Sequence, residues 1–426
     1  MRNVALVVVL ALAALAFIAP APDAPQPAPS VGVEEPPVAV CAIEEGSGRT
    51  TEVAVLSTVD GPTRLTLFTS GKTTGTISQP TGSSGSIKIP VVDVAAVGTV
   101  GGLVEMPVSN SAAGALVVGA ESMSAESCAT VPTPQSYIAG ASTIGDRTFV
   151  LHLMNPYAGE AVVELVVQSE AGIESNDRFG SVVVPARSST VVDFTELLPG
   201  RETLSIGIET QSGRVLAVGR ESIHGESAVW KAVEGSQDWF LPVPGGPGPK
   251  LLLIGTPSNA QIEYQIDLYG PDGLEEAFIS GTLGPRGVNR VDLAAITEET
   301  VGVRVISTGP VVATLWIDSE DGLAATTGSA IESTRWFLPG AGTPPNGAAT
   351  AVILGVGIED GTVSIRPLNS AAPTHTFDLP ADGVVEIALV AADGYLIESS
   401  QPMIVMWAGQ GGGTRVAAMG VPILDG

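Results

Sequence analysis

The chain has 426 residues, and its 45 acidic side chains against 19 basic ones give a formal charge of −26. A field of that sign repels nucleic-acid backbones and anionic lipid, which excludes both as electrostatic partners. Fifty-one glycines and 32 prolines among recurrent valine, isoleucine and leucine runs point to many turns between short buried segments, not to disorder.

After Met1 and Arg2, residues 4–19 read VALVVVLALAALAFIA and carry no charge. A short positive start followed by such a run fits a secretory signal over 1–19. Ala19-Pro20-Ala21 has small residues at cleavage spacing, but Pro20 and Pro22 oppose the cut, so a retained amino-terminal anchor stays open. Either way the chain is expected outside the cytoplasm, extracellular or in the cell envelope, and is expected to touch a membrane only through this segment. Residues 20–37, PAPDAPQPAPSVGVEEPP, read as an extended proline-rich linker. In an exported chain the two cysteines, Cys41 and Cys128, are expected to pair as a disulfide tying the first strand of the first module to its last.

Three phrases then recur in one order. Asp93, Asp193, Asp292 and Glu386 each sit between apolar neighbours, 94 to 100 residues apart. Downstream of them come Val118-Gly119-Ala120-Glu121-Ser122, Val218-Gly219-Arg220-Glu221-Ser222, Leu315-Trp316-Ile317-Asp318-Ser319 and Met406-Trp407-Ala408-Gly409-Gln410. The third phrase is Tyr137-Ile138-Ala139-Gly140, Trp239-Phe240-Leu241-Pro242 and Trp336-Phe337-Leu338-Pro339. This is a tandem repeat, with modules over 38–135, 136–237, 238–335 and 336–426.

Within the modules, Ala161, Val163, Leu165 and Val167 alternate with their neighbours, as do Ile262, Tyr264, Ile266 and Leu268 with Glu263, Gln265 and Asp267. That two-residue period is the signature of half-buried strands. The expected fold is all-β, a tandem array of immunoglobulin-like β-sandwich modules. The alternative is a closed β-propeller with two blades of about fifty residues in each period. At the joints, Trp239, Phe240, Trp336 and Phe337 are expected to pack between modules. Alternation sends the two rings of each pair to opposite sides, so an exposed platform for sugar rings is the competing reading.

No catalytic, cofactor-binding or metal-ligating set emerges. His152, His224 and His375 stand singly, and there is no H-E-x-x-H. Ser222 and His224 are too close along one strand to form a triad. The recurrent acids Asp93, Asp193, Asp292 and Glu386 are expected to accept from backbone amides at turns. Glu121, Glu221 and Asp318 read as strand charges that discourage edge pairing, with a shared groove as the alternative. Asp318-Ser319-Glu320-Asp321-Gly322 lacks the spacing of a helical calcium loop, and Gly409–Arg415 lacks the lysine of a phosphate loop.

Asn155-Pro156, Leu268-Tyr269-Gly270-Pro271-Asp272-Gly273, Val291-Asp292-Leu293 and Trp336-Phe337-Leu338-Pro339 together resemble an uncharacterised family of secreted or membrane-anchored actinobacterial proteins. The resemblance implies a cell-envelope location and brings no activity or cofactor. The expected function is an envelope scaffold or binding protein without catalysis, whose partner is an envelope protein or wall polysaccharide. A carbohydrate-binding or carbohydrate-active protein is the alternative.

Overall fold

Strand alternation holds where one face of a strand meets solvent, and it is lost where both faces are covered or the backbone bulges. The strand Ala161–Ser169 buries every second residue along its whole length. Ile262–Gly270 begins the same way, but its pairing slips between Ile266 and Leu268. The slip turns Asp267 inward and leaves Leu268 half-buried, the reverse of the period-two expectation. Asp267 is satisfied there by the amide of Ala277 at 2.8 Å, on the opposing strand, where Ala277 adopts φ 51°.

The computed structural model describes residues 38–423 except 44–49, 58–59, 70–71, 82–85, 91–98, 108–110, 120–122, 131, 271–272, 297, 320–321, 340–346, 369, 371–374, 391, 393 and 412–413. The signal or anchor over 1–19 and the linker over 20–37 lie outside the described residues, as do Asp93, Glu121, Glu320 and Asp321.

The fold is all-β, and all strand pairs among the described residues are antiparallel. In the first quarter, one sheet runs Val38–Ala42, Thr99–Glu105, Gly61–Thr69, Lys72–Thr81 in spatial order. The second runs Ser86–Pro90, Thr50–Leu56, Ala112–Val118, Met123–Ser127. The second quarter repeats this, with Ser188–Asp193, Thr148–Asn155, Leu216–Ile223, Glu226–Lys231 in one sheet. Its other sheet holds Gly172–Glu174, Ala161–Ser169, Leu204–Ser212 and Gln135–Ala141. In the third and fourth quarters a single long strand serves both sheets. Val301–Ser319 pairs with Ser236–Val243 chiefly through Val301–Ile306, and with Lys250–Gly255 through Val312–Ile317. Gly394–Gly411 does the same with Ser333–Pro339 and Gly347–Gly355. The strands of these quarters therefore join into sheets of seven and eight.

Four strands, one per quarter, lie innermost: Met123–Ser127, Glu226–Lys231, Gly322–Thr327 and Thr414–Met419. Each packs beside the next, and the fourth packs beside the first, so the cycle closes. Side chains stitch neighbours together. Lys231 N–H donates to Glu126 Oε2 at 3.3 Å, Thr327 Oγ1 to Lys231 O at 3.2 Å, and Met419 N–H to Thr326 Oγ1 at 3.0 Å. Just after each inner strand the chain pairs back onto its own quarter's other sheet, through Val40–Ala129, Tyr137–Val233, Phe240–Ser329 and Phe337–Val421. The Cys41–Cys128 disulfide stands beside the first of these bridges and joins the first strand to the end of the last, as expected.

Glycine allows the quarters to approach. Gly140, at φ +77°, would set a Cβ only 1.9 Å from Leu253 Cδ1, across the seam between the second and third quarters. A Cβ on Gly114 would lie 2.0 Å from Pro339 Cγ, where the fourth quarter meets the first.

Candidate functional site: the axial cavity

The joint aromatics contribute no surface. Trp239 and Phe240 are each 3 % exposed, and Trp336 and Phe337 are 0 % exposed. The competing reading, in which one ring of each pair faces outward, does not fit a strand that is covered on both faces. One face packs in its own quarter and the other against the next. Phe337 rests on Ala54, Leu56 and Ala112 of the first quarter. The indoles act on the backbone: Trp239 Nε1 donates to Val311 O at 2.6 Å and Trp336 Nε1 to Met403 O at 2.9 Å. Each carbonyl directly follows the proline at which a long strand passes between sheets.

The recurrent acids divide. Asp193 Oδ1 accepts from the amides of Thr195 and Glu196 and caps the one-turn helix Phe194–Leu197. Asp292 Oδ1 accepts from Ala294 N–H at 2.9 Å. Glu386 instead lies within a strand and accepts from the Thr300 hydroxyl of the preceding quarter. Glu221 and Asp318 do not line an edge. They converge from two quarters on Arg147, whose Nη1 donates to Glu221 Oε1 at 2.6 Å and whose Nη2 donates to Asp318 Oδ2. Glu221 also accepts from Ser142 N–H at 2.9 Å, and the guanidinium lies 5.1 Å from the Trp316 ring centroid. Burial pushes the Glu221 carboxyl up to about 8.

The histidines stay apart. His152 is buried in a strand and held down to about 4, by burial and then by the charge of Arg220. His224 occupies an exposed turn at φ 49°, 3.5 Å from Asp146. Among the described residues no cluster of three or more His, Cys, Asp or Glu side chains has the geometry to hold a metal ion.

Where the inner strands run side by side, Ala125, Ala228, Val229, Ala324, Ala325, Val416 and Ala417 close the axis and leave no room for a water. At one end of the axis, the four bridging segments diverge around a cavity of about 580 Å³. All four quarters contribute to it: Val38, Met106 and Ala129; Val215, Leu216 and Val233; Ile331; and Val421 to Ile423. Ser111, Thr130, Thr133 and Ser136 add hydroxyls, and Lys231 and Glu234 are the charged groups among the described lining residues. Glu234 and Ile331 stand exposed at the mouth, while Lys231 is half-buried. Lys231 Nζ donates to Ser127 Oγ at 2.6 Å, and Ser127 Oγ donates to Glu126 Oε1 at 3.0 Å. Burial raises Glu126 to about 7 and lowers the Lys231 ammonium.

Sequence reasoning singled out neither Glu126 nor Lys231. The available signal was Lys231 itself, one of four lysines, placed directly after the apolar run Ala228-Val229-Trp230.

A model for a family of unknown function (DUF5719) matches residues 119–389. No curated protein matches the chain. Among solved structures, an α-L-rhamnosidase from Streptomyces avermitilis, solved with L-rhamnose, aligns at 8 % identity and a TM-score of 0.13, over 82 % of this chain and 54 % of that one. A Salmonella α-2-macroglobulin aligns at 10 % identity and a TM-score of 0.14, over 90 % and 30 %. The chain thus spans about half the first and under a third of the second, and likenesses this low carry no argument about fold or activity.

Proposed function

The chain belongs to the DUF5719 family of unknown function, and from that premise, which brings no activity, we propose an exported, non-catalytic binding protein of the cell envelope whose ligand sits in the axial cavity. In this reading each quarter is an immunoglobulin-like sandwich and the four are closed into a ring. The observation that carries it is the cavity itself: one space of about 580 Å³ lined by all four quarters, with Lys231 and Glu234 among its lining residues. That volume is in the range of small-molecule sites, and apolar walls with a few polar groups are their usual lining.

Binding fits better than acyl transfer. The Ser127 hydroxyl approaches Lys231 as a nucleophile approaches its base, but it already donates to Glu126 and is 1 % exposed. A substrate carbonyl has no path to it. A sugar-binding role for the cavity is disfavoured because no aromatic ring stands among its described lining residues.

The test is a neutral fluorescent probe, N-phenyl-1-naphthylamine, titrated into the full chain. One-to-one binding that Val233→Trp abolishes, with the thermal midpoint unchanged, supports the reading. Probe binding that ignores Val233→Trp overturns it. Retention on purified wall polysaccharide by both proteins alike supports the glycan alternative instead. Cell fractionation, with mass measurement of the mature amino terminus, tests the export component.

A further inference from the structure

The cavity's chemistry defines its occupant more narrowly, on the strength of the binding reading above. We infer that the axial cavity takes a single-chain aliphatic amphiphile with a compact anionic head, the head seated on the Lys231 ammonium and the chain lying along the apolar wall.

Three features of the cavity lead there. First, the apolar wall is aliphatic: Val38, Val215, Leu216, Val233, Val421 and Ile423 stand in it, and the described lining residues hold no aromatic ring or amide side chain. An aromatic ligand finds no stacking face there, whereas an alkyl chain loses water against the apolar wall. Second, the cation is the more buried of the two charges. Glu234 is exposed at the opening, while Lys231 is half-buried and is the cation among the described lining residues of a molecule whose formal charge is −26. A cationic head would stop at Glu234, and a neutral head would leave the ammonium without a new acceptor. Third, the ammonium is positioned and has donors to spare. It carries three N–H groups, and its bond to Ser127 Oγ at 2.6 Å uses one. Glu126 does not cap the others: its carboxyl holds one Ser127 hydroxyl and the Lys231 amide.

Lysine acts as a point charge and does not distinguish a carboxylate from a phosphate. Dodecanoate, dodecyl phosphate and 1-dodecanol, all below their aggregation concentrations, therefore form the test set against the full chain by calorimetry. Expected is one-to-one binding in which at least one anion exceeds the alcohol by tenfold or more, and whichever anion binds better identifies the head. From octanoate to dodecanoate, affinity should rise about fourfold per added methylene, the equivalent of burying each CH₂. Lys231→Met should erase the preference for the anions while the alcohol still binds, and Lys231→Arg should keep it. Where Lys231→Met does not fold, the double variant Glu126→Gln/Lys231→Met removes both charges together and reports the same difference.

Equal affinity for dodecanol and both anions overturns the anionic head and leaves the cavity reading intact. So does an anion preference unchanged in folded Lys231→Met or in Glu126→Gln/Lys231→Met. Failure of all three amphiphiles while N-phenyl-1-naphthylamine still binds overturns the aliphatic ligand alone. Failure of the naphthylamine as well overturns the cavity reading.

Discussion

Arg147 shows how much a single residue holds in this molecule. It bridges Glu221, whose side chain is fully buried, to Asp318 on the neighbouring quarter. Removing the cation leaves the buried Glu221 carboxyl with the Ser142 amide and takes the ion-pair partner from Asp318. Arg147→Met is therefore expected to cost about 2 kcal/mol, because a buried carboxyl is left with unmet hydrogen-bonding capacity; urea denaturation measures it. The buried titratable groups also set a pH dependence. Glu126 and Glu221 are raised to about 7 and about 8, so between the ordinary carboxylate range and those values the folded state holds more protons than the unfolded chain. Stability from these groups is complete at low pH and is lost as pH rises through 7 and 8. His152, lowered to about 4, acts the other way: its contribution is lost as pH falls from its ordinary 6.5 toward 4. Above pH 6.5 only the carboxylates operate among these three. The expected loss from pH 6.5 to 8 is on the order of 1 kcal/mol per pH unit. Glu126→Gln/Glu221→Gln should flatten that slope in urea midpoints read across the same range. A slope unchanged in the double variant would assign the dependence to other groups.

Among the elements, the long bent strands and their fasteners matter most. The Trp336 indole holds the carbonyl of Met403 beside the Pro402 bend, and Trp239 does the same for Val311 beside Pro310. Trp336→Phe removes that donor and leaves a buried carbonyl and a void, a loss of about 2 kcal/mol or more in equilibrium unfolding. The disulfide closes a separation of 87 residues next to the Val40–Ala129 bridge. Cys41→Ala/Cys128→Ala should cost about 4 kcal/mol on the chain-entropy account, seen as a lower urea midpoint that reductant no longer shifts. Strands were legible from alternation where one face meets solvent, as in Ala161–Ser169, and not where both faces are covered, as in Gly322–Thr327. The inward turn of Asp267 was not legible, because it arises from a slip against the opposing strand, and a bulge leaves no period of its own. Asp193 and Asp292 behaved as short-range caps, which depend only on residues two or three positions away. Glu386 departed because its partner, Thr300, belongs to another quarter.

For the whole molecule, closure of the cycle is the fact with most consequence. The inner strand of the fourth quarter packs on that of the first, and Phe337 and Pro339 are fitted against Ala54, Leu56, Ala112 and Gly114. Deleting residues 336–426 should therefore abolish cooperative unfolding and expose apolar surface, where an open array would keep its first three modules intact; calorimetry of the truncated chain distinguishes the two. Residues 36–426 form one compact unit, and a radius of gyration of roughly 21 Å is expected for a single body of that length, checked by small-angle scattering. The sequence alone determined the strands, the fourfold phrase repeat and the cysteine pair, since period-two alternation, turn residues and an even cysteine count act over short range or through composition. Only the tertiary structure decided that both rings of each joint are buried, that Glu221 meets Asp318 on Arg147, and that four bridging segments enclose a cavity over Lys231. Each of those depends on which surfaces of distant quarters meet, and side-chain order along one chain does not encode that contact locally.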